Sequence, residues 1–248
     1  MSSRSNLPLL LSNAETFYRF AAYFTPAPDS TLWKAGNRWL GLDPVSGQVL
    51  VPSIPGYPPD VAIRVPDLMA TPRRYGWHAT LKAPFTLAPG ITMGALHRAM
   101  LALCALHKSF VMPALKVQRI GNFLALVPAQ ASPEIQSVAD ACVMGLHPLV
   151  QALQPFELQR RRCRVLTVEE EKMLQQWGYP HVLAQFQFHM SLTGPLTEVS
   201  DEAVHLLIEQ AQASFDGMPP SRFDGVTLVG EPVAGAAFSL IHRYALST

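Results

Sequence analysis

The 248-residue sequence predicts an α+β fold of two pseudo-symmetric lobes, each an antiparallel sheet with flanking helices, around a central cleft. Three observations predict it. One short pattern occurs twice: His78-Ala79-Thr80-Leu81-Lys82-Ala83-Pro84-Phe85-Thr86 and, 111 residues later, His189-Met190-Ser191-Leu192-Thr193-Gly194-Pro195-Leu196-Thr197. An apolar segment of helical character follows each copy, from about Thr92 to His107 and from about Ser200 to Phe215. Val117-Gln118-Arg119-Ile120-Gly121 and Val226-Thr227-Leu228-Val229-Gly230 then end 43 and 41 residues beyond their histidines. A strand–helix–strand–strand order used twice buries its apolar faces as layered α+β structure. The chain therefore reads as a single bilobal unit over 1–248, with lobe 1 at about 15–131 and lobe 2 at about 132–248.

The elements follow in order. Met1 to Ala14 reads as a loose lead-in. The aromatic run Phe17 to Thr25 is a strand stopped by Pro26 and Pro28. Asp29 or Ser30 caps a short helix through Leu40. Gly41 to Pro72, rich in Pro and Gly, reads as a long irregular loop. Tyr75 to Phe85 is the first motif strand. Phe110 to Ile120 and Phe123 to Pro128 pair about a Gly121-Asn122 turn. Ser132, with Pro133 and Glu134 behind it, starts a long helix to about Leu153. Thr167 before Glu169, Glu170 and Glu171 starts another, ended by Gly178 and Pro180. Val182 to Leu192 is the second motif strand. Strands near Phe223 to Gly230 and Ala237 to Leu246 close the chain.

In an extended strand, residues i and i+2 project from one face. Each motif thus aims an imidazole and a hydroxyl at the same space: His78 with Thr80, and His189 with Ser191. Counting by two from His78 adds Arg74 and Lys82 to that face, while Trp77, Ala79 and Leu81 form an apolar reverse. Opening a phosphodiester needs a base for water and an acid for the leaving oxygen. Two imidazoles share those tasks without a metal, and the two hydroxyls stabilise charge building on phosphorus. Candidate binding residues are Lys82, Arg74, Tyr23, Tyr244 and Arg162, the last from the basic cluster Arg160, Arg161, Arg162 and Arg164. No third ligand at zinc spacing accompanies either histidine, so neither metal nor cofactor is expected.

Composition narrows the partners. A net charge of +1 with only 15% charged residues argues against long nucleic acid and leaves a small phosphodiester substrate. Cys104, Cys142 and Cys163 form no disulfide framework, as suits a reducing cytosol. Leu7 to Leu11 is too short and Pro-broken for a signal core, and Met173 to Thr197 is too rich in Gln, His and Pro to span a membrane. The expectation is a cytoplasmic monomer that engages no membrane.

The paired motifs are similar to those of the 2H phosphoesterase superfamily, two His-x-[Ser/Thr]-hydrophobic signatures on pseudo-symmetric lobes, and the likeness runs from the Phe17 strand to Leu246. The longer strings Pro72 to Phe85, and Trp177-Gly178-Tyr179-Pro180 through Phe188 to Gly194, resemble the branch encoded beside carbon–phosphorus lyase genes in bacteria. That resemblance implies a cyclic phosphodiesterase acting on a nucleotide or ribose cyclic phosphate in phosphonate catabolism, with His189 as base and His78 as acid. A non-catalytic protein binding a nucleotide or sugar phosphate, and an RNA-end 2′–5′ phosphodiesterase or ligase, are the alternatives.

Overall fold

The computed structural model describes residues 17–42, 48–49, 59–162 and 165–248. Expectations for Met1 to Ala14, for residues 43–47 and 50–58, and for Cys163 and Arg164 lie outside these. The first strand, β1 (Arg19–Phe24), alternates: Phe20, Ala22 and Phe24 join the main core, while Ala21 and Tyr23 face the opposite side. Helix α1 (Thr31–Trp39) starts where Ser30 Oγ accepts the Trp33 N–H at 3.1 Å. Helix α2 (Pro59–Tyr75) leads to the first motif strand, β2 (Ala79–Phe85). Then come α3 (Met93–Ala105), β3 (Phe110–Val111), β4 (Leu115–Ile120), β5 (Phe123–Pro128) and α4 (Pro133–Leu146). Short α5 (Pro155–Arg161) and α6 (Val168–Trp177) precede the second motif strand, β6 (Met190–Ser191). Helix α7 (Asp201–Phe215) and strands β7 (Arg222–Phe223), β8 (Gly225–Glu231) and β9 (Ser239–Ala245) finish the chain.

Seven strands form one antiparallel sheet in the order β4-β5-β6-β2-β1-β8-β9, and β3 pairs with β7 separately. The two motif strands are neighbours at its centre, joined through the pair Ala79↔Met190. On one side of that junction lie β2, β1, β8 and β9; on the other lie β6, β5 and β4. The half-sheets therefore do not follow the halves of the chain divided near residue 131. Helix α3 packs on β8 and β9 but delivers the chain to β4, and α7 packs on β4 but delivers it to β8. Each helix covers one half-sheet and hands the next hairpin to the other, so the echoed strands β4 and β8 both stand third from the junction.

Several elements differ from expectation. The segment Phe110 to Ile120 divides into β3, which pairs with β7, and β4. Helix α2 occupies 59–75, overrunning the stretch Gly41 to Pro72 read as loop and the start of the strand expected from Tyr75, which begins instead at Ala79; it carries Pro66 and Pro72 inside it. Pro72 has no N–H for the Leu68 carbonyl one turn back; that carbonyl instead accepts the Gly194 N–H at 2.6 Å, docking the second motif onto α2. The expected strand Val182 to Leu192 shrinks to two residues behind a 3-10 turn, Leu183–Gln185. Helix α4 stops at Leu146, where Pro148 in the following 3-10 turn His147–Leu149 ends the regular ladder. Cys104 and Cys142 are buried free thiols, and no helix among the described residues is long and apolar enough to cross a membrane.

Trp77, between the α2 terminus and His78, is locked by close packing. Its ring lies flat against the Phe215 ring, with centroids 5.6 Å apart, and presses on Gly36 of α1, where a Cβ would fall 2.0 Å from the indole. Replacing Gly36 with Ala forces that indole or α1 to move. Gly36→Ala is expected to cost about 1–3 kcal/mol, the usual penalty of overpacking. Urea unfolding of the full chain measures it, and wild-type stability in the variant would show that Trp77 is not held there.

Candidate active site

The junction assembles the motifs. Ala79 and Met190 are opposed and wholly buried, so the residues on either side of each project to the other face. Continuing the antiparallel register by one residue in each direction sets His78 opposite Ser191 and Thr80 opposite His189. Directly opposed residues have Cβ atoms about 4.5–5.5 Å apart. By that register each imidazole comes opposite the other motif's hydroxyl.

Both imidazoles are oriented alike. Gly76, at φ +74°, ends α2 and turns its carbonyl to accept His78 Nδ1–H at 2.8 Å. The Gln187 carbonyl accepts His189 Nδ1–H at 2.9 Å. In both rings the backbone, two residues upstream, fixes the proton on Nδ1 and leaves the Nε2 lone pair for chemistry. Thr80 Oγ1 lies 3.1 Å from His78 Nε2 and donates to it in the neutral ring. Tyr23, paired with Thr80 across β1 and β2, stacks on His78 with centroids 3.9 Å apart. Burial pushes His78 down to about 4, against the Gly76 hydrogen bond and with help from nearby His189. Burial also lowers His189, against the Gln187 hydrogen bond. At neutral pH these shifts leave both imidazoles unprotonated.

His78, Thr80, Tyr23 and Ser191 line a cavity of about 450 Å³. His189 sits at its edge, its ring 5.6 Å from that of Phe123, which lines the cavity. Three arginines supply positive charge: Arg19 from β1, and Arg160 and Arg161 from α5. The aromatic rings of Tyr75 and Tyr179 join them. Arg19 had a legible signal, since it shares the face of Tyr23 by the i, i+4 spacing of a strand. Tyr179 carried none, because a segment distant in sequence brings it in; Tyr75 counts onto the apolar reverse of an unbroken strand, and only the helix end and the Gly76 turn bring it to the cavity.

Several expected binding residues lie elsewhere. Arg74 is held by buried Glu231 and by the Ala236 carbonyl at 3.0 Å. Burial alone would raise Glu231, but hydrogen bonds from Arg19, the Gly235 N–H and Arg74 hold it below the usual carboxylate range. Lys82 leaves the His78 face because the register shifts between Ala22↔Lys82 and Tyr23↔Thr80. This bulge puts Lys82 opposite Ala22, a core-side residue, and its Nζ donates to the Val143 carbonyl of α4 at 3.2 Å. Arg162 is engaged bidentately by Glu171 and lines a different depression. Tyr244 is buried on β9, bonded to His97 Nδ1 at 2.8 Å. Within the basic cluster it is Arg160 and Arg161, not Arg162, that reach the cavity.

A family model described as "Protein of unknown function (DUF1045)" matches residues 80–239, a span that starts just after His78. A ribose 1,5-bisphosphate phosphokinase PhnN of Janthinobacterium sp. (strain Marseille) is 36% identical over 236 residues, 94% of this chain and 51% of the relative. The PhnN of Laribacter hongkongensis (strain HLHK9) is 34% identical over 223 residues, 90% of this chain and 50% of the relative. The chain spans about half the length of the curated relatives it matches. Among solved structures, E. coli LigT complexed with NADP+ is similar with a TM-score of 0.46 at 10% identity, over 94% of this chain and 99% of that one. A second, described as a phosphoesterase, has a TM-score of 0.46 at 11% identity over the same shares.

The neutral, half-buried His78 ties stability to pH. A histidine lowered from 6.5 to about 4 refuses a proton that the unfolded chain accepts, so stability falls as pH drops below 6.5 and levels off below about 4. At about 1.4 kcal/mol per unit, roughly 2 kcal/mol is lost by pH 5. His78→Gln removes the titration and is expected to show a correspondingly smaller drop between pH 7 and pH 5 in urea unfolding. An equal drop in variant and wild type would place His78 in a solvated setting.

Proposed function

The chain belongs to the DUF1045 family, and on that premise we propose that it is a metal-independent phosphoesterase hydrolysing a small cyclic phosphodiester at the paired motifs. One observation carries the reading. The Ala79↔Met190 register sets two Nε2 lone pairs and two hydroxyls on one face of the sheet, beside a cavity edged by Arg19, Arg160 and Arg161. Two imidazoles whose second nitrogens are committed to carbonyls suit proton transfer. Among the described residues no group of three His, Cys, Asp or Glu side chains is placed to hold a metal.

The phosphate enters between the motifs and its charge is met by the arginines. Thr80 and Ser191 donate to its non-bridging oxygens. One Nε2 takes a proton from water as the water oxygen attacks phosphorus; the ester bond breaks, and the other Nε2–H protonates the departing oxygen. The anion itself raises both imidazoles, while Thr80, donating to His78 Nε2, favours the neutral form of that ring. The proton thus goes to His189. We therefore assign His78 as base and His189 as acid in hydrolysis, the reverse of the order implied by the resemblance. Hydrolysis of a cyclic phosphate on a ribose phosphate leaves a ribose bisphosphate, the class of compound named for the curated relatives. This supports a ribose cyclic phosphate substrate and a place in phosphonate catabolism.

Screening 2′,3′-cyclic nucleotides, ribose cyclic phosphates and linear diesters in EDTA tests the reaction class. Turnover that vanishes in EDTA and returns with added zinc or manganese would replace this mechanism with a metal-assisted one. His78→Ala and His189→Ala are each expected to lower kcat by about 10²–10⁴-fold, and Thr80→Val and Ser191→Ala by up to about 10²–10³-fold. A 4-nitrophenyl diester, whose leaving group needs no proton, separates the two histidines. Its turnover should be largely restored in His189→Ala and not in His78→Ala; the opposite pattern would exchange their roles.

A further inference from the structure

The bulge that removes Lys82 from the catalytic face sends it into a second cavity, of about 460 Å³, walled by β2, the His147–Leu149 turn, α5 and α6. This space is rich in hydrogen-bond donors that lack acceptors. Lys82 is only 5% exposed, and the Val143 carbonyl is the acceptor its ammonium reaches. His147 Nδ1, Trp177 Nε1 and Arg161 Nε are buried without a partner, three of the six such side-chain nitrogens among the described residues. Each unpaired buried donor costs about 1–3 kcal/mol, so gathering them in one place is a standing penalty that an acceptor would remove.

Geometry and charge agree. The His147 and Trp177 rings lie 4.9 Å apart. Arg161 is braced by the Gly178 carbonyl, which accepts from Nη1 at 2.8 Å, and by its position over the Tyr179 ring. Burial lowers His147 and the neighbouring Lys82 lowers it further; burial, against the nearby Cys142, brings Lys82 down to about 8. Among the described residues Glu157 is the only carboxylate lining the cavity, and it is engaged with the Gln154 N–H at 2.9 Å. The deficit is one of negative charge.

We propose that this cavity is a second anion-binding site, which takes a phosphate-class dianion between Lys82, His147, Trp177 and Arg161. It adjoins the catalytic cavity, because Arg19, Pro84, Arg160, Arg161 and Tyr179 line both. The dianion therefore has two sources: a phosphate monoester at the far end of the substrate whose diester meets the histidines, or the phosphate of a separate metabolite. The first source rests on the function proposed above, and the second does not.

Inorganic phosphate is the probe. Titrated calorimetrically into the full chain carrying His78→Ala and His189→Ala, it should bind saturably. Adding Lys82→Met should weaken that binding about tenfold or more, the loss of one charge-assisted hydrogen bond. Trp177→Phe, which keeps an aromatic ring in place, should weaken it several-fold. Equal phosphate affinity in both variants and their parent, with all three folded by circular dichroism, would overturn the site. With the histidines intact, KM is then compared for a ribose cyclic phosphate with and without a distal phosphate monoester. A preference of about tenfold or more for the phosphorylated compound, collapsing in Trp177→Phe, assigns the site to the substrate. Equal KM values alongside Lys82-dependent phosphate binding assign it to a separate metabolite. Absence of turnover on every diester would sink the phosphodiesterase reading alone, because the calorimetric measurement involves no reaction.

Discussion

The site depends on one antiparallel contact, Ala79 against Met190, where the two half-sheets meet. Both residues are sealed in the core, so neither strand can slip by one position without exchanging its buried and site-facing sets. That constraint makes the gathering of the His78–Thr80 and His189–Ser191 motifs a consequence of packing. The short β6 is reinforced from outside the sheet. Trp39 Nε1 donates to the Leu192 carbonyl at 2.8 Å, Leu192 N–H reaches Leu124, and Gly194 N–H reaches the carbonyl left free by Pro72. Two helices thus hold a strand that has too few ladder bonds to hold itself.

A second constraint is electrostatic. The imidazoles sit where water is partly excluded, against Tyr23 and Phe123, and are neutral for that reason. Among the described residues the only buried carboxylate near the site, Glu231, is committed to Arg19, Arg74 and the Gly235 N–H, so it offers no counter-charge that would protonate the imidazoles. Arg19 therefore presents an oriented positive group at the cavity, fixed by a partner behind it. In the mechanism we propose, substrate charge and imidazole protonation arrive together, which couples binding to the readiness of the acid.

How much was legible shows in particular residues. His78 and Thr80, His189 and Ser191 were readable because a period-two pattern survives in any strand, whatever its neighbours. The caps at Ser30, Ser132 and Thr167 were likewise local, each accepting an N–H three residues on. Lys82 was misplaced because the same counting assumes an unbroken pleat, and a bulge against β1 breaks it. The Val182 to Leu192 segment had strand-like alternation, yet only Met190 and Ser191 find ladder partners. Helix α2 was hidden by its prolines, since their local cost is offset by contacts made elsewhere in the chain.

The sequence by itself determined the α+β class, the repeated motifs, the apolar reverse of the first motif and the pairing of an imidazole with a hydroxyl in each. All of these depend on residue type and spacing over a few positions. Tertiary structure alone decided that the halves exchange hairpins, that Arg160 and Arg161 and not Arg162 reach the site, and that Arg74 spends its charge on Glu231. It also decided that Lys82 lies in a separate cavity of unpaired donors. Those outcomes turn on which distant segments become neighbours, and on how buried charges find partners once water has left. Spacing along the chain carries no record of either.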